Sequence, residues 1–238
     1  MTIITRNIEY THDGVTLEGV LAYDDAQTGP RPGVLVSHAW AGRSDFEVGR
    51  AKALAEMGYV GFALDLYGKG VLGTSAEENE KLMTPLVENQ PLLTGRLNAA
   101  VDAIRAAPEV DEKAVAAIGY CFGGLCVLTL ARTGADLKGV VSLHGLLGAG
   151  DGKGAPITAK VLVLHGWDDP MVPPDAVITF TEEMTAAKAD WQLHAYGGTM
   201  HSFTNPAAND PGFGTVYSPS ADQRSWATTG NFLAELFS

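Results

Sequence analysis

The chain has 238 residues, 46% of them hydrophobic and 18% charged, the size and apolar content of one α/β domain with a full core. Its 28 acidic residues outnumber 16 basic ones, giving a formal net charge of -12 that opposes binding to nucleic-acid phosphates or to anionic membrane surfaces. Cys121 and Cys126 are the only two cysteines, too close along one turn and helix to bridge, so no disulfide framework is expected and the chemistry suits a reducing, cytoplasmic setting.

The first ten residues lack the basic-then-apolar pattern of a signal peptide. Ile3 to Tyr10 and Leu17 to Tyr23 read as starter strands, the second antiparallel. Gly33 to Ser37 (GVLVS) is a short continuous apolar run of the kind that forms a fully buried parallel strand. Ser44 and Glu47 offer a capping box for a helix whose Phe46, Ala53, Leu54 and Met57 share a face and which Gly58 stops. Tyr59 to Leu64 is the next strand. Ser75 and Glu78 cap a second helical region that Pro85 is expected to break, and Pro91 opens a longer helix with Leu93, Leu97, Ala100, Val101 and Ile104 on one face.

Strand Ala114 to Ile118 follows, then helix Leu125 to Arg132, strands Gly139 to Leu143 and Val161 to Leu164, helix Pro174 to Lys188, strand Trp191 to Tyr196, and a helix from about Ser220 to Phe237. In that last helix Trp226, Leu233 and Phe237 are expected to point inward. Strands alternating with helices imply an α/β fold, a mainly parallel central sheet with helices on both faces, in a single domain spanning 1–238. Two loops stand out. Gly145 to Pro156 is glycine-rich but carries neither G-x-G-x-x-G nor G-K-[ST], so it reads as a solvated connection rather than a nucleotide cradle. Asn205 to Pro219 is rich in Asn, Pro and Gly and reads as an irregular loop.

The chemistry concentrates at Gly119-Tyr120-Cys121-Phe122-Gly123-Gly124. The uncharged run around it, Ala114 to Ala131, has the G-x-x-x-G of a membrane helix, but three glycines would weaken such a helix and no aromatic belt flanks it. The better reading is a strand turning sharply into a helix: a nucleophile elbow with a thiol at its centre. Flanking glycines fit because a Cβ there would collide with the neighbouring strand and helix. The nearby helix N-terminus favours a thiolate.

A thiol nucleophile needs a base, and the base a carboxylate to orient it. In open α/β sheets such groups lie just beyond the carboxyl ends of strands. Cys121, Asp169 and His201 satisfy that rule in the order nucleophile, acid, histidine, which is the order of the α/β-hydrolase fold. His38, His144 and His165 also end apolar strands and are rival bases, and Asp168 is the alternative to Asp169. His194, inside a strand, and His12, in an early loop, read as structural. Dispersed histidines offer no metal-ligand spacing, so no metal is expected. Trp40, Tyr67, Met171 and Phe203 are the expected pocket lining, suited to a small apolar acyl or alcohol group.

The Gly-Tyr-Cys-Phe-Gly-Gly elbow, Asp-Leu-Tyr at 65–67, Asp-x-x-Val-Pro at 169–173 and Gly-x-x-His-Ser-Phe at 198–203 together resemble the dienelactone hydrolase family, over roughly Gly33 to Phe237. The resemblance implies an α/β-hydrolase fold, a Cys121–Asp169–His201 triad, no cofactor, and an oxyanion hole from the backbone N–H groups of Trp40 and Phe122. Family members that open dienelactone carry a glutamate where the Ser37–Gly42 segment here places Ala39. They also hold the substrate carboxylate with arginines, where Asn205 and a neutral residue near Met83 stand here. A small neutral ester or lactone is therefore the expected substrate. Dienelactone itself, a thioester or amide, a non-catalytic binding protein on the same scaffold, and a thiol redox sensor using Cys121 and Cys126 are the alternatives. The oligomeric state is left open.

Overall fold

In a computed structural model, residues 2–148 and 156–238 are described. The chain divides into two compact units, Met1–Ile118 and Gly119–Ser238.

The first unit opens with β1 (Ile3–His12) and β2 (Val15–Asp24), paired antiparallel from Ile3↔Asp24 to His12↔Val15. Asp13 and Gly14, both at positive φ, make the tight turn between them. The starter strands are thus a complete hairpin, and His12 is the last residue of β1 rather than a loop residue. β3 (Arg31–Ser37) is buried almost throughout and pairs in parallel with β4 (Val60–Ala63), which pairs antiparallel with β2.

α1 (Asp45–Glu56) starts as expected, with Ser44 and Glu47 joined in a full capping box, but it buries Glu47, Ala51, Leu54 and Ala55, and of the expected face Met57 is exposed. α2 (Ala76–Val87) is capped by Ser75. It is not broken at Pro85, which sits inside it. Pro85 has no N–H to bond the carbonyl four residues earlier, yet the helix runs two residues further, to Val87. α3 (Gln90–Arg105) buries Leu93, Leu97, Ala100, Val101 and Ile104.

β5 (Val110–Tyr120) carries the chain from the first unit into the second. There follow α4 (Phe122–Arg132), β6 (Gly139–Leu143), β7 (Lys160–Gly166), α5 (Pro174–Ala186), β8 (Trp191–Tyr196), two short strands β9 (Asn209–Asp210) and β10 (Thr215–Val216), and α6 (Pro219–Leu236). β6, β7 and β8 pair in parallel, register by register. The strand order is β1-β2-β4-β3-β5-β6-β7-β8, an eight-stranded, mostly parallel sheet with helices packed on its strands.

Arg132 closes α4 with a fork onto Glu183 of α5, at 2.8 and 2.7 Å, and also donates to the Leu147 carbonyl. Most of the expected glycine-rich loop, 149–155, lies outside the described residues. Among the described residues no helix is long and apolar enough to cross a membrane.

Candidate active site

Cys121 is the one residue between β5 and α4, at φ 55 and ψ -116. Residues with a Cβ rarely adopt that conformation, and it persists only where the surroundings fix it. Two backbone bonds do so: the Cys121 N–H donates to the Leu143 carbonyl at the end of β6 (3.1 Å), and the Cys121 carbonyl accepts from Gly124 (2.9 Å). The glycines allow the close approach. A Cβ on Gly119 would lie 2.0 Å from the Gly123 carbonyl oxygen, and one on Gly124 would lie 2.5 Å from Gly145 Cα. The thiol is left half-buried at the start of a helix.

The acid comes from the loop after β7. Asp168 is exposed and Asp169 buried, which separates the two aspartates that the sequence leaves as alternatives. Asp169 accepts from the Met171 N–H through Oδ1 (2.8 Å) and from His201 Nδ1 through Oδ2 (2.7 Å). Both side chains are almost wholly out of solvent. The loop carrying Asp169 is tied to the loop carrying His201: Trp167 N–H donates to the Tyr196 carbonyl and Asp168 N–H to that of Thr199, both at 2.9 Å.

His201 follows β8 and is gripped on both sides of its backbone. Its N–H donates to the Gly214 carbonyl (2.9 Å), and its carbonyl accepts from Val216 (3.1 Å). This grip comes from the β9–β10 hairpin, within the stretch read from sequence as an irregular loop. Strands of two residues are too short to leave an alternating pattern. The signal that remains is the β-branched Thr215-Val216 pair preceded by Gly212 and Gly214.

The second ring nitrogen of His201, Nε2, is buried without a hydrogen-bond partner of regular geometry, and Cys121 is the group that acts on it. Burial alone would push the proton off this ring. The charge of Cys121 and the hydrogen bonds to Asp169 and Cys121 outweigh burial, and the His201 pKa is raised to about 10. His165, at the end of β7, is a contrast. It is 1% exposed, and neither ring nitrogen has a hydrogen-bond partner among the described residues. Burial holds its pKa below the ordinary histidine value, with Asp169 pulling it up and His201 down. His144, at the end of β6, lies edge-on to His201 with centroids 5.2 Å apart. Neither of these two rivals is bonded to Asp169.

Phe122 is buried as the first residue of α4, where the helix supplies no acceptor for its own first N–H groups. Met171 is half-buried beside Asp169. Phe203 is fully buried, packed on His144 and Tyr196 at 5.1 and 5.5 Å, so its ring serves the core behind His201. Asn205 is exposed and uses its side-chain oxygen to cap its own turn at Ala207. His194 is exposed on β8.

In the first unit, the Tyr67 hydroxyl donates to the Trp40 carbonyl (2.9 Å). His38 is fully buried and bonded at both nitrogens, Nδ1 to the Ala39 carbonyl and Nε2 to the Leu66 N–H, so it orders its loop and offers no base. The Ala39 N–H donates to Glu47, the capping-box carboxylate (3.3 Å). A cavity of about 330 Å³ in this unit is lined by Arg43, Asp45, Asp65, Val71 and Leu72 among others, and by neither Trp40 nor Tyr67. Among the described residues no cluster of His, Cys, Asp and Glu could hold a metal ion.

The site thus gathers Cys121, at a backbone conformation rarely adopted by residues with a Cβ, and His201, whose pKa is raised and whose ring is bonded to the buried Asp169. The model of the dienelactone hydrolase family matches residues 17–237. A crystal structure titled as a dienelactone hydrolase-like promiscuous phosphotriesterase from metagenomic libraries is 37% identical, covers 100% of both chains and superposes with a TM-score of 0.96. An uncharacterised protein of Caenorhabditis elegans is 38% identical over 149 residues, 61% of this chain and 94% of that one. A probable 2-oxo-3-(5-oxofuran-2-ylidene)propanoate lactonase of a Bradyrhizobium species is 26% identical over 98% of this chain and 96% of its own.

Proposed function

Because this chain belongs to the dienelactone hydrolase family of ester and lactone hydrolases, we propose that it cleaves small neutral carboxylic esters or lactones through a thioester on Cys121. The observation that supports the reading is the buried hydrogen bond from His201 to Asp169, on a ring whose pKa is raised to about 10, against burial, by Cys121 and Asp169.

His201, whose ring Asp169 holds by its Nδ1–H, takes the proton of the Cys121 thiol. The sulfur attacks the ester carbonyl, and the charge that develops on oxygen is met by the Phe122 N–H at the start of α4, a donor worth about 3 kcal/mol. The tetrahedral species collapses as His201 passes its proton to the departing alkoxide, leaving a thioester. Neutral His201 then takes a proton from water, the hydroxide attacks the thioester, and the C–S bond breaks to release the carboxylic acid as His201 gives that proton back to the sulfur.

Neutral substrates are favoured because Asn205 is spent on its own turn, in a chain of net charge -12. A lactone ring gives the same steps with the alkoxide tethered. The test is turnover of p-nitrophenyl acetate and of neutral γ- and δ-lactones, with mass spectrometry for an acetyl group on Cys121. Cys121→Ala should abolish both turnover and the adduct. Turnover that survives this substitution overturns the reading.

A second substrate class has support of its own. The 37%-identical structure spanning 100% of both chains is titled a promiscuous phosphotriesterase, and a neutral phosphotriester presents the same uncharged electrophile. Slow release of p-nitrophenol from a dialkyl p-nitrophenyl phosphate, lost in Cys121→Ala, is the expected result.

A further inference from the structure

His144 takes no part in the reaction above, yet it is the most constrained side chain next to it. It leaves the end of β6 at φ 37, a conformation that residues with a Cβ rarely adopt. Its N–H donates to the Leu164 carbonyl at 2.8 Å, which pins it to β7. Its side chain is 2% exposed, with Nε2 2.8 Å from the Thr204 hydroxyl. Its ring stands against His201 (centroids 5.2 Å, 65°), Phe203 (5.1 Å, 81°) and Tyr120 (5.9 Å, 47°). These contacts bracket the chemistry: Tyr120 precedes Cys121, while His201, Phe203 and Thr204 are the segment that presents the base. Backbone strain at a residue with a bulky ring persists only where that ring is held by its neighbours. Glycine or asparagine would adopt this φ more readily but would bring no ring.

We propose that His144 is a positioning residue: anchored through Nε2 to Thr204, its ring is the wall that keeps the His201 imidazole turned between Asp169 and Cys121. The proposal rests on the Cys–His–Asp reading of the site. The titratable groups facing His201 are Cys121 from the β5–α4 turn, Asp169 and His165 from β7 and its loop, and His144 from β6. Cys121 and Asp169 both raise the His201 pKa, and both effects weaken with distance. A His201 ring that swings loose therefore loses rate and titrates lower at once, which a merely structural defect would not produce.

The experiment compares His144→Asn, His144→Phe and Thr204→Val with the wild type in three readouts: p-nitrophenyl acetate kinetics, the NMR titration of the His201 ring, and Cys121 alkylation by iodoacetamide. Asn suits the backbone and removes the ring. We expect kcat to fall about 30–100-fold with KM within about threefold, a loss of the size that a displacement near 1 Å produces. The His201 titration should move down and alkylation near neutral pH should slow. Phe restores the ring without the Thr204 bond, and Thr204→Val removes the same bond from the other side. Both should lie between the wild type and Asn.

An Asn variant that melts like the wild type and keeps kcat and the His201 titration overturns the proposal. Should Asn fail to fold, Thr204→Val decides in the same way. If the wild type turns over no ester or lactone while the Asn variant still lowers the His201 titration, hydrolysis is refuted and the positioning role stands.

Discussion

At Cys121 the backbone sits at φ 55, and the surrounding contacts hold it there. The glycine ahead of it is the most brittle point of this arrangement. Gly119→Ala would place a methyl 2.0 Å from the Gly123 oxygen, which belongs to backbone and cannot rotate away. We expect a loss of about 3 kcal/mol in guanidinium unfolding, the upper part of the range for overpacking, together with loss of ester turnover.

His201 allows a cleaner test. In Cys121→Ala the leading upward influence on its pKa is gone while burial, which lowers it, remains. Its ring should titrate more than about one pH unit below the wild-type value in an NMR titration. An unchanged titration would show that Asp169 alone sets it. The same group gives a pH signature in stability. A histidine that holds its proton more tightly folded than unfolded contributes fully below pH 6.5, its ordinary value, and loses that contribution as the pH rises to about 10. The Tm advantage of the wild type over His201→Gln should therefore shrink between about pH 6 and pH 10.

At the residue scale the elbow glycines, the strand-end rule and the order of the three residues single out Cys121, Asp169 and His201 as candidates without coordinates, and the structure bonds His201 to Asp169. What sequence could not supply was burial. Asp168 and Asp169 differ by one position and carry the same carboxylate, and only the turn after β7 puts one in water and the other under His201. Phe203 likewise reads as a pocket residue because it neighbours His201, but it follows Ser202, whose positive φ turns the chain away and sends the ring into the core.

Among the elements, the β9–β10 hairpin matters most for the site and was the least visible. It holds the backbone of His201 by two hydrogen bonds, and its Gly214, at φ 83, lies against Pro170, the neighbour of Asp169. One turn therefore touches both the base and the loop of the acid. Gly214→Ala would strain the backbone and drive a methyl to 2.1 Å from the Pro170 ring. We expect about 2 kcal/mol lost in thermal or denaturant unfolding. A fall in kcat of about tenfold, with KM nearly unchanged, should accompany it. A variant with normal kcat would separate the hairpin from the chemistry. The parallel strands β6, β7 and β8, by contrast, were read to within two residues at each end, β6 and β7 because they are buried apolar runs that leave few other options. α2 runs past Pro85 to Val87, where the rule that proline ends a helix places its end earlier.

For the molecule as a whole, 28 acidic against 16 basic residues set the field in which a substrate arrives. A neutral ester should be turned over faster than its carboxylate-bearing analogue, and the gap should narrow as salt is raised from about 0.01 M to 0.5 M, where screening shortens the reach of the charge from about 30 Å to a few ångströms. A gap that salt leaves untouched would place the discrimination in local contacts. The fold class and strand alternation were readable from the pattern of apolar runs. The division into Met1–Ile118 and Gly119–Ser238 was not, since no linker or shift in composition marks residue 118.

That division has a consequence in time. The proposed nucleophile, carboxylate and imidazole all belong to the later half of the polypeptide, and His201 is added eighty residues after Cys121. During synthesis Cys121 therefore emerges well before the histidine proposed as its base, and ester turnover is expected only once residue 201 has been made and folded beside it.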